Sequence, residues 1–396
     1  MYINDRRIEA GDCSGPGSAG KVLMNPKVEA AVLECARGGI LRAGLGFDRC
    51  DVAVVTNIGE GDHLGMAEIE TAEDLARVKR VTVEAVAPTG SAVLNADDPL
   101  VVAMARYCRG SVVYFAQDPD HPVVVPHRAG GGRAVIVRHG EIVLAEGARE
   151  TGVSRLVDVP LTHGGRIAFQ VENTLAAAGA AWALGLGLDA IRDGLETFGS
   201  AMDTVPGRFN LLEAGDATIL VDYGHNVSAL RALVEAIEPL PHPRRSIVFS
   251  VAGDRREVDM IRQGQILAGA FDRVYIYEDS CLRGRPPGEI TALLRRGLAD
   301  GPRVRETHEH RDPMKAIEAA LHALSGGDLL VVQADEVDAT LAFINEHLRA
   351  EPHGRGVDLA EMIEIAASRD AVTADRSWDE GPRHTICSMS TTRGGS

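Results

Sequence analysis

The chain has 396 residues, which suggests about two or three domains, and 45% of them are hydrophobic, enough for ordinary cores. A formal net charge of −16 argues against nucleic acid binding by the whole surface and is typical of a cytoplasmic enzyme. Six scattered cysteines without a CxxC pair indicate neither a zinc site nor a disulfide framework, and neither a signal peptide nor a membrane-spanning segment is visible.

The N-terminal segment is predicted to form a small hairpin over residues 2–8, followed by a surface loop. That loop contains a GxxxxGK match, Gly15–Lys21, which is the pattern of a phosphate-binding loop. However, Val22 follows where Ser or Thr would hold Mg²⁺, no buried strand precedes the match, and Pro16 lacks an N–H donor. A kinase that uses this loop is therefore the weakest of the functional hypotheses.

Two apolar runs, Val28–Glu34 and Val52–Val55, are predicted to be buried strands of a parallel sheet. The first ends in an acid, Glu34, and the second leads into a Gly-rich turn that contains His63. Ligands of open α/β sheets bind at the carboxyl ends of strands, and Mg²⁺ needs few protein ligands beside phosphate oxygens. The pattern therefore suggests a shared Mg²⁺ site, although a turn aspartate and a surface histidine would explain the same residues.

The following segment is predicted to be a helix that carries a lysine toward the same strand ends. Thr71 is its expected N-cap, acidic residues occupy the first turn, and Lys79 lies about two turns further along. A metal–phosphate site would use such a lysine, but a solvated helix residue is the plain alternative. Short strands are expected over 91–160, then a long Ala-rich helix that ends at Leu186.

The second half of the chain alternates strands and helices after a linker at 200–206, which predicts a Rossmann-like domain of about 140 residues. The final segment, 368–396, is rich in Ser, Thr, Arg and Gly and is expected to be disordered. The predicted domains are therefore 1–203 and 204–350, followed by a tail over 351–396.

Several separated motifs resemble the Mur ligase family in order and spacing. They are TNIGEGDHLG (56–65), DLARVKR (74–80), NADDP (95–99), FQVENTLAA (169–177), PGRF (206–209), DYGHN (222–226) and AGDRR (252–256). The stretches at 33–45, 159–173 and 262–279 resemble the cyanophycin synthetase branch in particular. The resemblance implies an α/β fold, with a central ATP-binding domain and a Rossmann-like C-terminal domain.

The resemblance also implies a reaction and roles for individual residues. Mur ligases phosphorylate a carboxylate with ATP, and an amine then attacks the acyl phosphate to give an amide; in the cyanophycin branch, arginine joins an aspartate side chain of a polymer. Positions that match the family's site residues are Glu34 and His63 for Mg²⁺, Lys79 as a carbamylated lysine, Asn173 for adenine, Arg208 and Asp222 for phosphates and ribose, Tyr223, His225 and Asn226 for ATP or substrate, and Asp254 and Arg255 at the cleft. The catalytic positions among them are Lys79, His63 and Arg208.

One part of the family pattern is missing. The phosphate loop GTxGKT, with its strand and helix, would precede Tyr2–Ile8, and an ATP-grasp region would lie further upstream. We therefore expect an N-terminally truncated parallel sheet without one central strand, whose exposed apolar surface a partner chain carrying those parts could cover. The substrate would be an amino acid or peptide, and a homo-oligomer is compatible with the resemblance. The alternative is a catalytically degenerate scaffold or polymer-binding module.

Overall fold

A computed structural model describes residues 1–350 and 384–389 of the chain. Within those ranges it leaves out 60–63, 279–281 and the single residues Asp5, Ala10, Asp12, Met66, Pro241 and Asp300. The chain divides into two units near residue 200, the first consisting mainly of 1–199 and the second mainly of the residues that follow. The predicted boundary at 203/204 lies close to this point.

The first unit alternates helices with mostly parallel strands. Its elements in chain order are β1 (Tyr2–Ile3), β2 (Arg6–Arg7), α1 (Pro16–Leu23), β3 (Ala30–Glu34), α2 (Arg37–Ala43), β4 (Cys50–Val55), α3 (Ala72–Lys79), α4 (Val81–Glu84), β5 (Val86–Asn95), α5 (Pro99–Val102), β6 (Ser111–Ala116), α6 (Val124–Ala129), β7 (Arg133–Arg138), β8 (Glu141–Glu146), β9 (Arg149–Arg155), α7 (Ala168–Ala183) and α8 (Leu188–Thr197). The predicted N-terminal hairpin is confirmed, because β1 and β2 pair antiparallel. The short strands expected over 91–160 do not continue to residue 160, since β9 ends at Arg155 and a 3₁₀ turn follows.

Apart from the β1–β2 hairpin, the described strands of this unit form one eight-stranded sheet in the order β3-β16-β4-β5-β6-β7-β8-β9, where β16 is His384–Met389. The strands from β3 to β7 run parallel, and β7, β8 and β9 pair antiparallel. Helix α7 covers one face, where its Leu175 shares a core with Val93 and Val113, while Leu75 of α3 belongs to the core on the other face. Both faces of the central strands are therefore buried, as parallel sheets require.

The GxxxxGK match at 15–21 does not form the predicted loop, because it lies in helix α1. Pro16 occupies the first helical position, where its missing N–H is not needed by the helix. Val22 faces inward and packs with Leu33 of β3. The loop prediction missed this helix because it followed the Gly and Pro content rather than the spacing of the apolar residues.

Strand β3 is confirmed as a strand, but the prediction that it is buried on both faces is wrong. Its burial alternates, so that Leu33 lies under α1 while Val32 on the opposite face is 72% exposed. The reason is its position at the edge of the sheet, with helix cover on one side only. Apolar composition alone does not distinguish such an edge strand from a central one.

The last described strand, β16, is an interior strand between β3 and β4 of a sheet that we expected to lack one central strand. It runs parallel to both neighbours: five of its residues pair with β3 and four with β4. The expectation of a structureless C-terminal segment therefore does not hold for residues 384–389, and the other residues of the predicted tail lie outside the described residues. Each pairing joins positions more than 300 residues apart, which no local pattern reveals.

The second unit is a Rossmann-like α/β unit. Its elements are β10 (Asn210–Ala214), β11 (Ala217–Asp222), α9 (Val227–Ile237), β12 (Arg245–Phe249), α10 (Glu257–Ala270), β13 (Arg273–Tyr277), α11 (Glu289–Leu298), β14 (Glu306–His310), α12 (Pro313–His322), β15 (Leu329–Gln333) and α13 (Val337–Ala350). The sheet order is β10-β11-β15-β12-β13-β14, and only the β10–β11 pair is antiparallel among these strands. The sequence missed the edge strands β10 and β14; β14 reads Glu-Thr-His-Glu-His and carries no apolar signal. Across the described part of the chain, no helix combines the length and the apolar character needed to span a bilayer.

Helices α10 and α11 touch each other through their backbones at a pair of glycines. A Cβ added to Gly264 would lie 2.3 Å from the carbonyl oxygen of Leu294, and one added to Gly297 would lie 2.1 Å from that of Ile261. Backbone atoms cannot move aside as a side chain can. The close approach of the two helices therefore depends on these two glycines.

We expect Gly264→Ala to destabilise the second unit by about 2–3 kcal/mol, the range for overpacking a well-packed core. Gly269 in the same helix provides the control, since a Cβ there would meet nothing within 4 Å. Gly269→Ala should stabilise the protein by about 0.5 kcal/mol, because alanine has the higher helix propensity. Urea unfolding of the three proteins measures both changes, and equal effects of the two substitutions would contradict the proposed contact.

Candidate active site

Glu34, one of the two predicted metal ligands, lies at the carboxyl edge of the first sheet, on a strand that is not adjacent to β4. Glu34 is half-buried at the end of β3. Ser388 of β16 is in register with both Glu34 and Val54, so β16 separates β3 from β4. Two strand spacings place the backbones of these two strands about 10 Å apart. His63 lies outside the described residues, and its sharing of a cation with Glu34 remains a prediction.

Asp98, which the sequence did not single out as a site residue, holds the loop that follows β4. Its Oδ2 accepts a hydrogen bond of 2.6 Å from the backbone N–H of Ile58, and its Oδ1 accepts from Leu100 and Val101 at the start of α5. One carboxylate therefore ties together the loops at the carboxyl ends of β4 and β5. Its signal in the sequence was the NADDP motif, which we noted without assigning it a role.

Lys79 is the last residue of α3 and only 2% exposed. The start of this helix is fixed by a capping box, in which Thr71 accepts from the N–H of Asp74 while Asp74 accepts from Thr71. The predicted N-cap is thereby confirmed. Burial of an ammonium group is costly unless it is paired or neutralised, so Lys79 is not the solvated helix residue of the plain alternative.

Asn173 lies exposed on α7, and its amide donates to the Oε1 of Gln170 at 3.1 Å. The preceding residue, Glu172, accepts a hydrogen bond of 3.3 Å from Gln117. Burial, followed by the neighbouring Asp97, raises the pKa of the Glu172 carboxyl above its usual range. The predicted adenine contact of Asn173 remains a prediction.

Within the described residues, no group of three or more His, Cys, Asp or Glu side chains is arranged to hold a metal ion. Magnesium commonly uses only one or two carboxylates together with waters and substrate phosphates. Glu34 fits that pattern, because it is a half-buried carboxylate at the strand edge where α/β sheets bind phosphate-containing ligands.

In the second unit the structure brings most of the predicted nucleotide-binding residues together. Asp222, at the end of β11, accepts from the N–H of Phe209 at 2.9 Å and from that of Gly224 at 2.6 Å. The N–H of Tyr223 donates to the carbonyl of Gly207 at 2.9 Å. The PGRF and DYGHN motifs, which lie more than a dozen residues apart in the sequence, thus form one hydrogen-bonded pair of loops.

Two features show how tightly this pair of loops is held. Phe209 is fully buried with φ of +52°, a left-handed conformation that L residues other than glycine rarely adopt, and its N–H is the one bound by Asp222. Desolvation raises the pKa of the Asp222 carboxyl, although the two N–H donors and Arg208 act in the opposite direction. Asp222 therefore has a structural role in addition to the ligand role predicted for it.

Arg208, Tyr223 and His225, which lie on these loops, contact one another in a series. The guanidinium carbon of Arg208 lies 5.1 Å from the centre of the Tyr223 ring, a cation–π distance. The rings of Tyr223 and His225 meet edge to face at 4.9 Å. The prediction that these three residues share a site is consistent with their packing.

His225 uses both ring nitrogens within the protein. The Nη2 of Arg255 lies 2.8 Å from its Nε2, and its Nδ1 lies 3.2 Å from the carbonyl oxygen of Tyr223. A guanidinium can only donate, so Nε2 accepts and Nδ1 carries the proton. Gln263 also donates to the carbonyl of His225 at 2.7 Å. His225 therefore orients Arg255 and Tyr223, and neither of its ring nitrogens is placed as a general base.

Asn226 caps the start of α9, because its Oδ1 accepts a 2.7 Å hydrogen bond from the N–H of Ala229. Asparagine is among the preferred residues for this position. Its side-chain oxygen is thus engaged by the helix, and the predicted contact of Asn226 with ATP or substrate would have to use its amide nitrogen.

The buried His225 should make the stability of the protein depend on pH. Burial, followed by the charge of Arg255, lowers the pKa of His225 to about 4. The unfolded chain takes up this proton near pH 6.5 and the folded chain only near pH 4, so stability falls as the pH drops between these values. From pH 7 to pH 5 we expect His225 to contribute a loss of about 2 kcal/mol.

Urea unfolding of the unmodified protein and of His225→Gln at both pH values tests this. The stability difference between the two proteins should shrink by about 2 kcal/mol on going to pH 5. The exposed His322→Gln serves as the control. A difference for His225→Gln that stays constant with pH would contradict the expected behaviour of this imidazole.

Two protein-family models match most of the chain. The Mur ligase middle domain matches residues 21–181, and the glutamate ligase domain of Mur ligases matches residues 207–335. Curated relatives include the cyanophycin synthetases of Crocosphaera subtropica, 41% identical over 87% of this chain, and of Synechocystis sp., 42% identical over 87%. The chain spans 39% of the length of each of these two enzymes.

The chain is also similar to more distant relatives and to solved structures. The UDP-N-acetylmuramoyl-L-alanyl-D-glutamate–2,6-diaminopimelate ligase of Gloeobacter violaceus is 30% identical over 78% of this chain and 60% of its own length. E. coli FolC in complex with ADP shares the fold, with a TM-score of 0.53 and 19% identity over 76% of this chain and 63% of its own. A pseudomurein peptide ligase from Methanothermus fervidus gives a TM-score of 0.51 and 20% identity over 75% and 63%. The chain therefore belongs to the Mur ligase family, of which it carries the middle domain and the glutamate ligase domain.

Proposed function

We propose that this chain is the amide-forming part of an ATP-dependent ligase. A carboxylate oxygen of the substrate attacks the γ-phosphorus of ATP, and ADP leaves. An amine nitrogen then attacks the carbonyl carbon of the acyl phosphate, phosphate departs, and the amine loses a proton. The likeness to cyanophycin synthetases supports an aspartate side chain as the carboxylate and arginine as the amine.

The residues of the first unit would serve the phosphates. Glu34, with His63, would hold Mg²⁺, which supplies charge neutralisation on the phosphate oxygens. Lys79 is almost fully buried, and a carbamate on its amine would convert a costly cation into an anion that suits a metal–phosphate site. Asp98 keeps the loop after β4 in place through its bond to Ile58.

The residues of the second unit would serve the nucleotide and the substrate. The Arg208 guanidinium, held over Tyr223, supplies positive charge for phosphate oxygens. Asp222 ties together the two loops that carry these residues. Phosphoryl transfer depends on positioning and charge neutralisation, which these preorganised groups provide. This hydrogen-bonded pair of loops, in a chain of this family, is the observation that carries the proposal.

A partner polypeptide completes the site in this proposal. It would supply the phosphate loop and the ATP-grasp region that the resemblance implies and that this sequence does not show. The two cyanophycin synthetases are more than twice as long as this chain, which supports a further part of the machinery on another segment or chain.

Reconstitution tests the function directly. The chain would be mixed with a candidate partner that carries those parts, Mg²⁺–ATP, an aspartate polymer and arginine. We expect phosphate release that requires all components, together with a mass increase of the polymer that corresponds to amide-linked arginine. The chain alone and the partner alone are the controls, and the absence of both products from the complete mixture would reject the proposal.

A second candidate is a non-catalytic module that binds the polymer or a partner. It is favoured by a cavity of about 420 Å³ beside β3, which is lined in part by Tyr2 and Val32, themselves 63% and 72% exposed. Apolar side chains exposed at a cavity are typical of binding surfaces. Calorimetry of the chain alone with Mg²⁺–ATP separates the candidates, because tight binding would reject the non-catalytic module.

A further inference from the structure

Arg285, in the loop before α11, is hydrogen-bonded to the loop before α10. The Nε of Arg285 donates to the carbonyl of Gly253 at 2.7 Å, and its Nη2 donates to that of Arg255 at 2.9 Å. Its Nη1 donates to the carboxylate of Glu289 at 2.6 Å. All three nitrogens of the guanidinium are thus engaged, two of them by backbone carbonyls of the same short loop.

The two loops also pack against each other without intervening side chains. A Cβ added to Gly253 would lie 2.1 Å from the carbonyl oxygen of Leu282, so the backbones are in direct contact. On the far side, the carboxylate of Glu278 accepts from the N–H of Gly288, with both oxygens at 2.8 Å. Arg283 adds a salt bridge to Asp254 at 2.5 Å. The loop that carries Arg285 is therefore itself held in place by hydrogen bonds and a salt bridge.

We propose that Arg285 is a positioning residue for the candidate active site, acting through the chain Arg285–Arg255–His225–Tyr223. Arg285 fixes the backbone on both sides of Asp254, and this places the buried Arg255 side chain 2.8 Å from the Nε2 of His225. His225 in turn packs its ring against that of Tyr223. Arg285 binds backbone carbonyls, so it sets the position of this loop whatever side chains the loop carries.

The role of Arg285 in turnover rests on the proposed function, whereas its effect on His225 does not. Removal of its side chain should let the 253–255 loop relax and Arg255 withdraw from His225. The charges facing His225 are those of Arg255, Arg208 and Arg283, and burial together with these charges keeps the imidazole neutral. When Arg255 withdraws and water enters, the pKa of His225 should rise toward its ordinary value.

The test is an NMR titration of the full chain carrying ¹³C-labelled histidine, with the His225 signal assigned by its loss in His225→Gln. In Arg285→Gln we expect the pKa of His225 to rise by about one unit or more, a tenfold or greater change in proton affinity. Arg303→Gln is the matched control, since Arg303 is also a partly buried arginine, paired with Asp272 at 3.0 Å. An unchanged His225 titration in folded Arg285→Gln would overturn the proposal.

If Arg285→Gln does not fold, Arg285→Lys and Glu289→Gln replace it, and both should shift the His225 titration in the same direction by less. If the His225 titration is unchanged in both of these variants, the proposal is overturned. In the reconstituted reaction, kcat should fall at least tenfold in Arg285→Gln and recover in part in Arg285→Lys. A shifted titration with no ligase activity in the unmodified protein would reject the proposed function while leaving the positioning of His225 supported.

Discussion

Replacement of Lys79 by alanine should lower ATP-dependent phosphate release in the reconstituted system by about two to three orders of magnitude, the usual cost of losing a group that stabilises charge in the transition state. Lys79 is 2% exposed and lies at the end of a helix whose start is fixed by a capping box. Its nitrogen is therefore confined to one place. Such confinement is expected of a group that must face the phosphates.

Two further variants separate the explanations for that loss. Lys79→Arg keeps the positive charge but cannot form a carbamate, so equal inactivity of the arginine and alanine variants would favour the carbamate. Incorporation of ¹³C-bicarbonate should then give a carbamate signal in the unmodified protein and none in Lys79→Ala. Lys21→Ala is the control, because Lys21 is an exposed residue of α1 that pairs with Glu9 at 2.7 Å. Full activity of folded Lys79→Ala would contradict the assignment.

The strands and helices of both units were predictable largely because their apolar residues repeat with the period of the element. β13 and β15 belong to the predicted alternation, since each is a short, mostly apolar run between polar turns. β14 was missed because its residues are mostly exposed and polar, and it is held by pairing with β13. Edge strands of this kind are specified by their neighbours rather than by their own composition.

The candidate site was predictable as a set of motifs but not as a set of contacts. The sequence placed Asp222, Tyr223 and His225 at one strand end, and in the structure they follow β11 together. It could not show that Arg255 engages His225 from another strand end, thirty residues further along the chain. This contact changes the chemistry of the histidine, since it fixes the tautomer and keeps the ring neutral.

The pairing of β16 was likewise not predictable, because it joins distant parts of the chain. This pairing is the subject of the second prediction with a large expected effect. Ile386→Pro removes an N–H and inserts a ring in the middle of a parallel ladder, which should cost about 3 kcal/mol or more. Because β3 and β4 are joined through β16, the amides of β3 should lose hydrogen-exchange protection, while those of β5 should change less. Ile386→Val is the control. Unchanged exchange of residues 30–34 in the proline variant would contradict the pairing.

The register of β16 can also be tested by a cross-link. Cys387 is paired with Ala53 of β4, and neighbouring parallel strands lie about 4.8 Å apart, within the Cα separation that a disulfide spans. Ala53→Cys should therefore oxidise to a disulfide with Cys387, identified by peptide mass mapping. Val52→Cys is the matched control, because Val52 is paired with Ile386 rather than Cys387, and the Val52 side chain points to the opposite face of the sheet from that of Ala53. Equal cross-linking of both variants would show that β16 does not hold this single register beside β4.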